Sequence, residues 1–308
     1  VGVYPPDIGG PAKFASEFSQ WLASKGSHIT VLSLTDNLST KYLSENENPQ
    51  VILVSREQTL LLRFLATIKI VRNLARDHTF LVNGLFIEIS LLTIFQKFRY
   101  VAKIPGDIVW ERATNQGETK LSVIDYQGAE TFGKRAMRKL FTRALNKAAF
   151  VILPSQQLKL LAMGWGIREE KMVVLPNSTN LELFKAKPNT IKKFDLITVG
   201  RLIPLKGISE LIEVSKYLNL SLAVVGGGPE ELALKELARE LGASVSFLGE
   251  ISPDEVVENL NASKLFVLNS SHEGSPHALI EAMACGITCI ARENTGSVEI
   301  ITNNVNGF

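Results

Sequence analysis

Short apolar runs alternate with amphipathic helical stretches along the whole chain, and this alternation restricts the fold more than any other feature. Strand-like runs fall at 29–34, 51–54, 80–82, 100–104, 151–153 and 173–175, then at 196–199, 222–225, 245–248, 265–268 and 288–291. Helical patterns at 12–25, 134–147, 207–216, 230–241 and 253–262 lie between them. Strands that are apolar on both sides and separated by helices predict parallel sheets covered on both faces. The 308 residues are long for one core and comfortable for two. Residues 176–189, rich in Pro, Asn and Ser and without periodicity, read as a linker. The expectation is an α/β protein of two doubly wound domains, 1–180 and 181–308, with ligands held in a cleft beyond the carboxyl ends of the strands. Val1-Gly2-Val3 looks like the tail of a strand, and the chain stops abruptly at Asn306-Gly307-Phe308. A fragment of a longer protein is expected.

Composition removes several function classes. With 45% hydrophobic and 21% charged residues the chain is an ordinary globular sequence. Two cysteines, Cys285 and Cys289, lie in one apolar stretch, which excludes a disulfide framework and fits a reducing compartment. The four histidines show no metal-ligand spacing, so no metal or other cofactor is expected. No leader peptide and no run of 18 apolar residues is present, so a cytoplasmic protein is expected. Residues 1–190 carry 24 Lys and Arg against 16 Asp and Glu, and residues 191–308 carry 9 against 15. Halves of opposite sign imply different partners, the basic one facing something anionic. Within 132–149, Lys134, Arg135, Arg138, Lys139 and Lys147 recur at three- and four-residue spacings, and Arg143 continues the row. This basic helix, 134–147, is a candidate contact for the anionic inner face of a membrane; a merely solvated face is the alternative. Nucleic acid is not expected as a partner.

Four loops that follow strands carry chemistry. In Pro5-Pro6-Asp7-Ile8-Gly9-Gly10-Pro11, two glycines at a helix start let a backbone approach a phosphate, or simply form a turn. Gly200-Arg201-Leu202-Ile203-Pro204-Leu205-Lys206-Gly207 sets Arg201 and Lys206 at the mouth of the second sheet, as a departing diphosphate requires. Gly226-Gly227-Gly228-Pro229-Glu230 permits another close approach. The most informative is His272-Glu273-Gly274-Ser275-Pro276-His277, running into Ala278-Leu279-Ile280-Glu281-Ala282-Met283-Ala284-Cys285-Gly286. Ser275 is the expected N-cap, Pro276 the first helical residue and Gly286 the stop. Amides at 275–278 then form an anion site between two carboxylates, Glu273 in the loop and Glu281 on the helix. That arrangement suits a nucleotide sugar, whereas the plain alternative is a capped helix with unrelated acids.

The spacing Glu273…Glu281 within H-E-G-S-P-H-A-L-I-E-A-M-A-C-G closely resembles family 4, or group 1, glycosyltransferases. So do V-G-R-L-I-P-L-K-G, V-V-G-G-G-P-E, F-L-G-E at 247–250 and the amino-terminal P-P-D-I-G-G-P. The resemblance implies the GT-B fold and transfer from a UDP- or GDP-sugar to a lipid-linked or glycan acceptor, with retention of configuration. It further implies that Arg201 and Lys206 clamp the diphosphate, that Glu273 meets the donor-sugar hydroxyls and that Glu281 holds the ribose. The backbone at Phe247 and Leu248 would read the base. Gly9 and Gly10 would close on the phosphates, and Gly227, Gly274, Ser275, Pro276 and His277 would line the donor. Many relatives carry a histidine after the strand at 100–104; this chain reads Lys103-Ile104-Pro105-Gly106-Asp107, so Asp107 is the candidate substitute or a structural cap. Glycine also usually follows the asparagine that here precedes Ser178. No Asp-x-Asp occurs, so metal-independent chemistry is expected. The rivals are a nucleotide-sugar 2-epimerase of the same fold, a non-catalytic binding remnant, and a nicotinamide-dependent dehydrogenase, the last disfavoured by the missing G-x-G-x-x-G.

Overall fold

The computed structural model describes residues 1–5, 10–35, 48–75, 78–293 and 296–308. They form two compact units. The first comprises Val1–Val109, Ala129–Leu153 and Lys159–Leu175; the second comprises Trp110–Gly128, Pro154–Leu158 and Pro176–Phe308.

In the first unit, β1 (Thr30–Thr35) pairs in parallel with β2 (Gln50–Ser55). A second parallel sheet follows the chain order β3 (Phe80–Val82), β4 (Tyr100–Lys103), β5 (Phe150–Leu153) and β6 (Met172–Val174). The chain start forms no regular strand, yet it links the two sheets: the Val1 amino group donates to Leu32 O at 2.6 Å and the Gly2 amide to Asn83 O at 3.1 Å. Gly84, at φ +120°, makes room for this approach, since a Cβ there would lie 2.4 Å from Gly2 N. Helix α1 (Gly10–Ser24) precedes β1, and helices α2 (Leu60–Leu74), α3 (Phe86–Phe95) and α5 (Phe132–Lys147) intervene between strands. Helix α4 (Ile108–Asn115) leads out of the first unit, and α6 (Gln156–Gly164) leads back into it.

Helix α5 starts at Thr131, whose hydroxyl accepts from the Lys134 amide, and it buries Phe141, Ala144 and Leu145 completely. Arg135, Lys139, Arg143 and Lys147 recur every fourth position on its exposed side. Arg138 does not belong to that basic face. It turns inward, its guanidinium donating to both oxygens of Asp107 at 2.8 and 2.6 Å and to Glu130 at 3.2 Å, and it stacks 4.8 Å from the Trp165 ring. Spacing alone placed it with the other cations; a buried carboxylate 31 residues away draws it into the core.

The second unit holds one five-stranded parallel sheet in the order β11-β10-β7-β8-β9, formed by Thr288–Ala291, Ser263–Leu268, Phe194–Val199, Leu222–Val225 and Val245–Gly249 respectively. Alternate side chains feed two cores. Ile197, Ala223, Val225, Phe266 and Leu268 pack on one face with Leu260 of α9 (Pro253–Asn261) and Leu279 of α10 (His277–Ala284). Leu196, Leu222 and Val224 pack on the other face with Ile212 of α7 (Ile208–Tyr217) and Leu234 of α8 (Glu231–Leu241). Burial on both faces is why these strands read as unbroken apolar runs. Strand order reverses between β7 and β10, which makes their carboxyl ends the switch point where such sheets take ligands.

Candidate functional site

Both loops at the switch point carry expected site residues, and close backbone packing holds them together. A Cβ on Gly226, at φ +119°, would lie 2.1 Å from Gly200 O, and one on Gly228 would lie 2.4 Å from Leu202 O. The Leu202 amide donates to Gly227 O at 2.9 Å, and the Glu230 amide donates to Leu202 O at 3.2 Å. The glycines after β8 thus let its loop lie against the loop after β7, so their first role is packing between loops. Gly227 approaches Glu250, at the end of the F-L-G-E stretch, where a Cβ would meet the carboxylate at 2.9 Å. Next to it Phe247 and Leu248 close β9, with Phe247 packed toward one core and Leu248 toward the other.

From β10 the Ser271 amide reaches back to Leu205 O at 2.9 Å, and Asn269 Nδ2 donates to Gly207 O at 2.9 Å. These contacts bring Lys206 and Glu273 together: Nζ lies 2.5 Å from Oε1, with 22% and 13% of the two side chains accessible. Arg201 stands exposed on the same loop, without an ion-pair partner among the described residues. One cation is therefore committed to the acid while the other points to solvent, both at the mouth of the sheet.

Helix α10 begins one residue later than the sequence reading expects. Pro276 occupies the N-cap position, Ser275 makes no side-chain cap, and His277 is the first helical residue. Ser275 contributes its carbonyl instead, which accepts from Asn177 Nδ2 at 2.8 Å. The first intrahelical bond runs from the Ile280 amide to Pro276 O at 3.3 Å, so the amides of His277, Ala278 and Leu279 precede the helical ladder. Glu281 follows one turn later and is buried, at 7% exposure. Gly286, at φ +69°, ends the helix as expected. Gly296 closes over Gly274 from the other side, because a Cβ there would meet Glu273 O at 2.6 Å.

Gly10, the first residue of α1, and Asp107 belong to the first unit, and Gly9 lies outside the described residues. Asp107 is not an available base or sugar contact. It has no accessible surface, its two oxygens are held by Arg138, and Oδ1 also accepts the Val109 amide at 3.0 Å at the start of α4. It pins a helix start. Three contacts went unassigned in the sequence: Asn177 holds Ser275, the Trp110 ring meets His272 edge-on at 4.9 Å, and within the first unit the Lys103 ammonium lies 4.6 Å above the Phe14 ring. Lys103 is buried at the end of β4, and that burial lowers its pKa from the ordinary lysine value. Only the Pro176-Asn177-Ser178 departure hinted at any of these; the others depend on contacts distant in sequence.

Residues 180–308 match the family model described as glycosyl transferases group 1. Among curated relatives, the chain is 30% identical to the amylovoran biosynthesis glycosyltransferase AmsK of Erwinia amylovora over 57% of its own length and 46% of the relative's. It is likewise 30% identical to an N,N'-diacetylbacillosaminyl-diphospho-undecaprenol alpha-1,3-N-acetylgalactosaminyltransferase of Campylobacter jejuni, over 46% of this chain and 42% of that one. The chain thus spans less than half the length of these relatives. Its fold is shared more widely. The sucrose-phosphate synthase of Thermosynechococcus elongatus superposes with a TM-score of 0.75 at 19% identity, covering 95% of this chain and 78% of that one. Anabaena HepE in complex with UDP-glucose superposes at 0.74 and 19% identity, covering 99% and 83%. The chain has the GT-B fold, and the part of it that contains Arg201, Lys206, Glu273 and Glu281 carries the group 1 glycosyltransferase pattern.

Proposed function

We propose that this chain transfers a hexose-type residue from a UDP- or GDP-sugar to a lipid-linked or glycan acceptor, with retention of configuration. The observation that carries this reading is the Lys206–Glu273 pair at the switch point of a doubly wound sheet, with Arg201 exposed beside it. In this reading Arg201 and Lys206 neutralise the donor diphosphate as it leaves, and the first amides of α10 add their dipole. Glu273 meets the sugar hydroxyls and Glu281 the ribose, while the backbone at Phe247 and Leu248 faces the base. Gly9 and Gly10 remain the donor-loop candidates that the sequence pattern offers. The leaving phosphate takes the acceptor proton on the face from which it departs, so no side chain need act as base and the loss of Asp107 from that role breaks no step. Protein cations take the part that a divalent metal plays elsewhere, so no metal is required. A relative named for a diphospho-undecaprenol acceptor supports the acceptor class. Work on such acceptors would put the protein at the inner face of the cytoplasmic membrane, with the exposed cations of α5 toward it.

Incubation with radiolabelled UDP- and GDP-sugars, with and without polyprenyl-diphosphate sugar acceptors, tests the reading. Label in the acceptor lipid is the expected result. Conversion of the donor into its 2-epimer, or binding without any turnover, would replace transfer by the corresponding rival.

A further inference from the structure

Helix α2 reads LLLRFLATIKIVRNL, and an amphipathic helix on a globular protein normally turns such leucines inward. Here Leu61, Leu62 and Leu65 remain 66%, 56% and 52% exposed, and at the end of α3 Ile94 and Phe95 are 54% and 80% exposed. Two adjoining hollows of about 500 and 410 Å³ share Ile68 and Arg72 in their walls; Leu65 and Lys69 line the first, Leu92 and Phe95 the second. Each is lined by both apolar and cationic side chains. Helix α2 has no acidic residue, and the single acid of α3, Glu88, lies 3.5 Å from Arg63. Lys69 and Arg72 have no ion-pair partner among the described residues. Helix α3 packs against both α2 and α5.

Exposed leucines beside unpaired cations match the interface of a bilayer with anionic headgroups, where the apolar side chains enter the acyl boundary and the cations meet phosphates. A second copy of the chain fits less well, because an isologous contact through this face would set Lys69 and Arg72 against their own kind. We propose that α2 and the end of α3 form the surface by which this protein docks on an anionic phospholipid bilayer. The proposal requires neither sugar transfer nor the basic row of α5, and its test uses no nucleotide sugar.

The test is sedimentation with vesicles of equal parts phosphatidylglycerol and phosphatidylcholine, against vesicles of phosphatidylcholine alone. The chain should pellet with the first and remain in solution with the second. Lys69→Gln with Arg72→Gln should weaken partitioning about 25-fold, since each cation near an anionic surface contributes about fivefold. Leu61→Glu with Leu65→Glu should remove the binding that persists at high salt, while Arg135→Gln with Lys139→Gln should leave that fraction in place. Because Cys285 and Cys289 are buried, a polarity-sensitive dye on a Leu65→Cys variant reports this site alone, and its emission should shift to the blue on the anionic vesicles. Unchanged sedimentation of both α2 variants with native circular dichroism would overturn the proposal. So would a dye that stays in water while the protein pellets, no pelleting at all, or a dimer that the leucine variant dissolves.

Discussion

Lys206 and Glu273 stand 67 residues apart and meet at 2.5 Å, so neither can be changed without disturbing the other. Lys206→Ala removes a cation and also frees Glu273, whereas Arg201→Ala removes a cation without an ion-pair partner among the described residues. Arg201→Ala should therefore weaken UDP or GDP binding by about 1.5–3 kcal/mol in calorimetry without changing the melting temperature. The Lys206→Ala and Glu273→Gln effects should be non-additive, with a coupling of about 0.5–3 kcal/mol in a double-mutant cycle; strict additivity would mean that the pair does not act as one. The two thiols behave differently from any reactive cysteine. Burial pushes Cys285 up to about 11 and Cys289 up to about 12, with the Glu281 charge adding to the first. Both stay protonated at neutral pH, so the folded protein should resist iodoacetamide at pH 8. Rapid alkylation with native structure retained would contradict that placement.

At the scale of elements, the start of α4 depends on α5 through Asp107 and Arg138. Arg138→Met should destabilise the protein by about 3–5 kcal/mol, because it strands a fully buried carboxylate, and adding Asp107→Leu should recover only part of that loss, since the Val109 amide then loses its acceptor and Glu130 its cation. Denaturant midpoints measure both; a surface-like loss below about 0.5 kcal/mol for Arg138→Met would show that the pair is not buried in solution. This element also marks where the sequence stopped being legible. The strands could be read because each is buried on both faces and interrupted by turns, and α10 because the E-x7-E pattern and Gly286 bracket it. Its first residue was missed by one: Pro276 takes the cap position while Ser275 spends its carbonyl on Asn177. Arg138 was misplaced because a helical wheel assigns cations to water and cannot register an acid on another segment. The Lys206–Glu273 contact was equally invisible, although each residue had been singled out, because sequence gives the loop but not the partner.

Over the whole molecule, the group 1 pattern covers 180–308, and each compact unit is assembled from three segments of chain. Trp110–Gly128 packs with the second unit, where Trp110 meets His272 immediately before Glu273. Gly10 and α2 belong to the first unit, and the second unit gathers Arg201, Lys206, Glu273 and the start of α10 at one switch point. Among the described residues no helix is long and apolar enough to cross a membrane. The chemistry proposed for this switch point is sugar transfer with protein cations in place of a metal. The most direct measurement is label transfer from a nucleotide sugar to a lipid-linked acceptor in excess EDTA, by the unaltered chain and by Glu273→Gln. Turnover should survive the chelator and fall about 100-fold or more in the variant, with its circular dichroism unchanged. Turnover abolished by EDTA and restored by manganese, or a Glu273→Gln rate within a few-fold of the parent, would contradict it.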